Sequence, residues 1–183
     1  MPLSPAFLDD FAVFAAAFLA GLAIKIMDDH LDEHRDSKFG QPNLAAMYGQ
    51  GITAYGFCAL LAAAAIHLPT AVSVFAGAYI VGMGLSSSST YLFGLSGRAE
   101  SLLMLVFSIY CAGLALTGVS ILIMAAIQLW DNWVDNGEHL LGLVLAGASI
   151  GGALLIDGGQ SSMVLFAYAL FFALERWWLG SIS

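Results

Sequence analysis

The sequence predicts an all-α protein: a single domain built as a polytopic bundle of about seven transmembrane helices. Three observations carry that expectation. Hydrophobic residues make up 60% of the 183 and charged residues only 10%, against roughly 25% charged in a soluble domain, and the mean hydropathy is +0.88. Apolar runs of about 20 residues, the length that crosses a bilayer core, recur from end to end. The charge that remains is concentrated, most densely in Asp28-Asp29-His30-Leu31-Asp32-Glu33-His34-Arg35-Asp36, directly after the first apolar run.

Taken in order, the first run is Phe11 to Met27, about the minimum for a span. Met1-Pro2-Leu3-Ser4-Pro5 lacks the basic start of a signal peptide and Asp9-Asp10 stand where positive charge would be needed, so this run is expected to stay in the mature protein. Ser37 to Asn43 is a polar connection in which Pro42 suits a helix start. The second span covers about Leu44 to His67, and Pro69 marks a tight turn, because a helix ends before a proline and restarts just after it. The third runs from about Ala71 to Phe93, with Ser86 to Thr90 near its end, and Gly94 to Arg98 form a loop. Ser101 to Trp130 carries no charge; as one helix it would be about 45 Å long, well over a bilayer core of about 30 Å. One tilted helix, or two short ones with a turn at Thr117-Gly118, would accommodate it. The last two spans are about Leu140 to Ile156 and Met163 to Trp178.

The charge distribution decides between these versions. With a turn at Thr117-Gly118, Lys25, Arg35, Lys38, Arg98 and Arg176 all fall on one side. The opposite loops, near His67, Thr117-Gly118 and Asp157 to Ser162, then carry no Lys or Arg, as the positive-inside rule requires. The expectation is therefore seven spans in two pseudo-halves, about 1–98 and 99–183, with the amino terminus outside. The acidic helix ends face the cytoplasm, in the plasma membrane. The five Lys and Arg are too scattered for a nucleic-acid footprint. Cys58 and Cys111 lie in apolar segments and read as buried small hydrophobes. Small residues four apart, Ser73 with Gly77, Ala78 with Gly82 and Gly147 with Gly151, predict close helix packing.

The acidic stretch puts Asp28, Asp32 and Asp36 at i, i+4 and i+8, on one face of a continuing helix. About a hundred residues on there is an echo. Ala23-Ile24-Lys25-Ile26-Met27-Asp28, with Asp32 four residues later, is matched by Ala126-Ile127-Gln128-Leu129-Trp130-Asp131 with Asp135. Both times an apolar helix ends in DxxxD. Carboxylate oxygens are hard ligands, and Mg²⁺ takes one or two of them while leaving positions for water and phosphate oxygens. A diphosphate bridged by Mg²⁺ between two such clusters is an activated leaving group, because the metal and any nearby cation neutralise the charge that builds as the carbon–oxygen bond breaks. Lys38 and Arg98 are the candidates for that cationic support. Trp130 and Trp133 flank the second motif as candidate cavity walls, and with Trp177 and Trp178 they also suit an interfacial belt.

These residues resemble a family. The stretch DDHLDEHRD looks like the NDxxDxxxD signature of the UbiA-type intramembrane prenyltransferases, with Asp28 in place of the Asn and Asp29, Asp32 and Asp36 in the three Asp positions. Asp131-Asn132-Trp133-Val134-Asp135 resembles their second motif, with Val134 where the family commonly has Gly. Lys38 and Pro42 resemble the basic, proline-containing segment that follows the first motif. The resemblance implies a helical bundle with a cavity opening sideways into lipid. There Mg²⁺, held by Asp28, Asp29, Asp32, Asp36, Asp131 and Asp135, binds an isoprenyl diphosphate. Ionisation gives an allylic cation, which an aromatic or lipid-like acceptor attacks. The family usually has nine spans, and a homodimer would complete this shortened bundle.

Two other classes fit the composition. A small divalent-cation transporter or channel would use the acidic clusters as its entry, but it needs polar groups through the bilayer midplane, where these spans carry no Asp, Glu, Lys or Arg. A non-catalytic membrane subunit would tolerate loss of the DxxxD carboxylates. His30 and His34 share a face at a spacing suited to a transition metal, though among carboxylates a solvated role is the simpler expectation. His67, His139, Asp157 and Glu175 stand at span ends, where interfacial placement suffices. Neither a Ser-His-Asp order, a Gly-rich phosphate loop nor CxxC is present.

Overall fold

A computed structural model describes residues 4–39, 43–84, 95–136 and 140–180, with the backbone alone at Arg35, Phe39, Met83, Gly84, Val134, Asp135, Asn136, Leu140, Glu175, Trp178, Leu179 and Gly180. Among these residues the chain is all α-helical, with no β-strand. The helices are α1 (Pro5–Phe39), α2 (Leu44–Tyr48), α3 (Ile52–Ala78), α4 (Gly97–Asn136), α5 (Leu140–Ile156) and α6 (Gly158–Gly180). A 3₁₀ turn, Gly49–Gly51, joins α2 to α3, and a π-helical turn, Tyr79–Gly84, extends α3. Three stretches, Pro5–His34, Leu44–Gly82 and Gly97–Trp133, are long and apolar enough to cross a membrane. Ser86 to Thr90, Pro42 and His139 lie outside the described residues.

α1 runs unbroken from the apolar stretch through the acidic one, 35 residues in all. Asp28 and Asp32 border one cavity, whereas Asp36, expected on the same face, lies about 80° round from Asp28 and binds Asn43 instead. The following helix has Asn43 as its N-cap, accepting from the Ala46 N–H at 2.9 Å.

Two of the long helices are broken. In α3 the break is at His67, whose backbone is extended (φ −151°, ψ 90°) two residues ahead of Pro69. The His67 ring accepts from the Thr70 N–H at 3.3 Å, capping the arm that follows. The two arms fold back on one another. A Cβ added at Gly56 would lie 3.1 Å from Ile26 of α1, while Ala78 borders a cavity with Ile24 and Asp28. On a straight helix Gly56 and Ala78 would be ~33 Å apart. The turn expected at Pro69 is thus present, with His67 as its cap.

In α4 the break is at Gly113 (φ 80°, ψ 165°). The Ser108 and Thr117 hydroxyls meet at 2.9 Å across it, whereas nine residues of straight helix would separate them by ~13 Å. The split expected at Thr117-Gly118 therefore falls at Gly113 instead. The backbone there is open essentially to glycine alone, and Thr117 is helical, its buried hydroxyl joining the two arms.

The core is built of small residues. Ala16, Ala17 and Ala20 of α1 pack with Val74, Ile123 and Val164 from three other segments, the close approach that apolar helices use in the absence of bulky side chains. Gly77 shows how close: an added Cβ would lie 3.0 Å from the Ser120 backbone. Beside it the Ser120 hydroxyl donates across to Ser73 at 3.0 Å, and Ser73 donates within its own helix to the Thr70 carbonyl at 3.1 Å, so both of these buried hydroxyls are satisfied. Gly147 and Gly151 behave otherwise, since a Cβ added at either would meet no described atom within 4 Å, and Cys58, expected to be buried, is exposed. The last helix begins at Gly158, ahead of the expected Met163, because the Asp157 carboxylate accepts from the Gln160 N–H at 3.0 Å and caps it. That gives Asp157 a structural role.

Candidate functional site

The acidic end of α1 divides its carboxylates between two tasks, because successive residues on a helix point about 100° apart. Asp29 faces inward and is 2% exposed. One of its oxygens lies 2.9 Å from the Lys25 ammonium and the other accepts from the Leu44 N–H at 2.8 Å. The Asn43 side chain donates to the Asp29 carbonyl and to the Asp36 carboxylate, both at 2.7 Å. Asp29, Asp36 and Asn43 together fold the polar connection back against α1. On the next face, the His30 ring meets the Thr53 hydroxyl at 2.6 Å, which ties α1 to the start of α3.

Asp28 stands on the other side of the helix, between two adjoining cavities of about 320 and 180 Å³. In the larger it is joined by Asp32, Tyr79 and Gln128. In the smaller it is joined by Lys25, Gln128 and Asp131 at the polar end, and by Tyr168, Phe171 and Phe172 of α6 as an aromatic wall. The fold therefore brings the first Asp of each DxxxD motif to one cavity, with Asp32 beside it. Tyr79, on the rim of the larger cavity, donates its hydroxyl to Glu100, which pins the start of α4 to the π-helical turn.

The remaining candidates lie elsewhere. Asp29 and Asp36 border neither cavity, and of Asp135 only the backbone is described. Lys38 and Arg98 are exposed and border neither cavity; among the described residues the cation beside Asp28 and Asp131 is Lys25. Trp130 and Trp133 pack against one another, ring centres 5.4 Å apart, outside both cavities. Lys25 and Gln128 were legible in the sequence through one signal: they hold the same position in the two copies of the echo, one turn before each Asp.

The donors suit some metals better than others. Among the described residues no three His, Cys, Asp or Glu gather closely enough to cage an ion. Pairs of carboxylates around a polar cavity are what the site offers, and that matches Mg²⁺, which takes one or two protein carboxylates and fills its shell with water and substrate oxygens. Asp28 with Asp131, or Asp28 with Asp32, would hold it. No family model, curated protein or solved structure matches the chain.

Proposed function

We propose that the chain is a Mg²⁺-dependent intramembrane prenyltransferase of the UbiA-like kind, acting on an isoprenyl diphosphate and transferring its prenyl group to an aromatic or lipid-like acceptor. The observation that carries this reading is the cavity that Asp28, Asp131 and Lys25 share with apolar and aromatic side chains. A polar, charged head and a hydrocarbon tail would each find their own surroundings there. The reading includes seven membrane crossings: α1, the two arms of α3, the two arms of α4, α5 and α6. The arms are short for a bilayer core of about 30 Å, and thinning of the lipid around them accommodates that at modest cost. The acidic end lies on the cytoplasmic face of the plasma membrane, where Arg98, Arg176 and Lys38 also belong.

When bound, Mg²⁺ would neutralise the diphosphate as the carbon–oxygen bond breaks. The side chains have separate parts. Asp28 and Asp131 hold the ion from two helices, Lys25 faces the phosphate oxygens, and Gln128 donates to them from the opposite wall. Tyr168 and Phe171 would keep water from the reacting carbon.

The test is equilibrium binding and turnover of labelled farnesyl and geranylgeranyl diphosphate by the purified protein, with and without Mg²⁺. Binding is expected with Mg²⁺, reversed by EDTA and lost in Asp28→Asn and Asp131→Asn. Absence of Mg²⁺-dependent binding, or its survival in both variants, refutes the reading. Mg²⁺ flux through proteoliposomes without diphosphate binding would replace it with a cation-transport function.

A further inference from the structure

Lys25 stands in an apolar run one turn before Asp28. In such a place a lysine without a fixed partner extends its stem toward the nearest water. Here the ammonium is held inside, 2.9 Å from one oxygen of Asp29, one turn further along α1. Asp29 is itself fixed: it is buried, and its other oxygen accepts from the Leu44 N–H at 2.8 Å. Lys25 borders the smaller cavity with Asp28 and Asp131, whereas Asp29 borders neither cavity. The carboxylate therefore lies within the protein, behind the wall to which the lysine belongs.

The echo supplies a second observation. At the offset that relates Asp28 to Asp131, Lys25 corresponds to Gln128 and Asp29 to Asn132. The two positions differ together: an ammonium and a carboxylate in the first copy, two neutral amides in the second. Gln128 borders the cavity as Lys25 does, and Asn132 borders neither cavity, as with Asp29.

The Leu44 N–H does not account for the charge on Asp29, because an amide oxygen accepts from a backbone donor equally well. Support of the helix does not account for it either, since the second copy continues as a helix with Gln128 and Asn132 in these places. What requires a carboxylate is the ammonium, and what distinguishes that ammonium is its place beside the two cavity carboxylates.

We propose, on the reading that the cavity holds an isoprenyl diphosphate, that Asp29 is a positioning residue: it keeps the Lys25 ammonium on the cavity wall, oriented for the phosphate oxygens before the ligand arrives. An ammonium has three N–H donors, so a carboxylate behind it and an anion in front are compatible. Fixing the flexible four-carbon stem in advance removes an ordering cost that ligand binding would otherwise carry.

The test is a double-mutant cycle on equilibrium binding of farnesyl diphosphate in Mg²⁺. It compares the wild type, Lys25→Gln, Asp29→Asn and the two together, which gives the first copy the amide pair of the second. Lys25→Gln is expected to weaken binding by ~10-fold, the loss of a charge-assisted contact. Asp29→Asn, which keeps an oxygen for Leu44, should weaken it by ~5-fold through the released stem. In the Lys25→Gln background Asp29→Asn should cause no further loss, because its effect passes through the lysine. Equal loss in both backgrounds would show that Asp29 serves only to hold α2. Unchanged or tighter binding in Asp29→Asn would show that it merely offsets the lysine's charge. Either result overturns the proposal.

A second readout needs no ligand. In a Lys38→Arg background Lys25 is the one lysine left in the sequence. Sulfosuccinimidyl acetate, a charged reagent that acts from water, should acetylate it ~5-fold faster in Asp29→Asn than with Asp29 in place, since a released stem reaches the interface. The site is identified by mass spectrometry of the modified peptide, and equal rates overturn the proposal. Should the wild type bind no diphosphate while the acetylation rates differ as expected, the prenyltransferase reading fails and the placement of Lys25 by Asp29 stands.

Discussion

Asp28 and Asp29 are neighbours in sequence, and replacing each is expected to do opposite things. Asp29→Ala removes the acceptor of the buried Leu44 N–H, which costs about 1–3 kcal/mol when an inward-facing donor is left unpaired. It also removes the partner of Lys25, whose side chain is 27% exposed, so solvent screening limits that contribution to about 1 kcal/mol. The expected loss is about 2–4 kcal/mol, which in a chain of this size lowers the unfolding midpoint by roughly 5–15 °C. Asp29→Asn keeps an oxygen for Leu44 and loses the ion pair alone, so its midpoint should fall by only about 2–4 °C. Asp28→Asn, which removes no bond that holds α2 in place, should leave the midpoint within about 2 °C while abolishing Mg²⁺-dependent diphosphate binding. The assay is tryptophan fluorescence on heating in detergent, with ligand binding measured on the same preparations. A wild-type midpoint in Asp29→Ala, or a larger drop in Asp28→Asn than in Asp29→Ala, would refute this division between the two carboxylates.

Other outcomes follow from the breaks and the close contacts, each checked by the same unfolding measurement. Gly113→Ala should cost about 1–3 kcal/mol, because its backbone conformation is strained for any residue with a Cβ; in a continuous helix the same change would stabilise by up to about 1 kcal/mol. Gly77→Ala should cost about 1–3 kcal/mol, since the Cβ would meet the Ser120 backbone at 3.0 Å and backbone cannot rotate aside. Gly151→Ala, with no described atom within 4 Å, should be neutral or stabilising. His67→Ala should lose about 0.5–2 kcal/mol of capping, and His67→Asn less, because its oxygen can accept from Thr70.

Much of the site was legible before any contact was known. The continuation of α1 through Asp36 follows from the absence of any breaker between Met27 and Ser37, and the DxxxD echo pointed to two acidic helix ends, whose first carboxylates do meet at one cavity. The cations were read less well. Lys38 and Arg98 drew attention because they stand next to the motifs in the chain, whereas Lys25 lies within an apolar run and looks there like a topological charge. Only the placement of α1 and the second arm of α4 around one cavity shows it beside Asp131. The aromatic wall was missed for a similar reason. Tyr168, Phe171 and Phe172 read as one more hydrophobic stretch among several, while Trp130 and Trp133 stand conspicuously beside a motif yet stack on each other.

The sequence by itself determined the helical class and the apolar, membrane-suited character of the chain, because hydropathy and helix periodicity are properties of a dozen or so neighbouring residues. It also determined that the chain repeats itself, since DxxxD is local. Tertiary structure alone decided which carboxylates share a cavity and which hold α2. Adjacent positions on a helix face different neighbours, and those neighbours come from segments far away in the chain. It likewise decided that the helices reverse at His67 and Gly113. A helix break is a local conformation, but whether the arms fold back depends on the surface they find, here the small residues of α1 and the hydroxyls of Ser108 and Thr117.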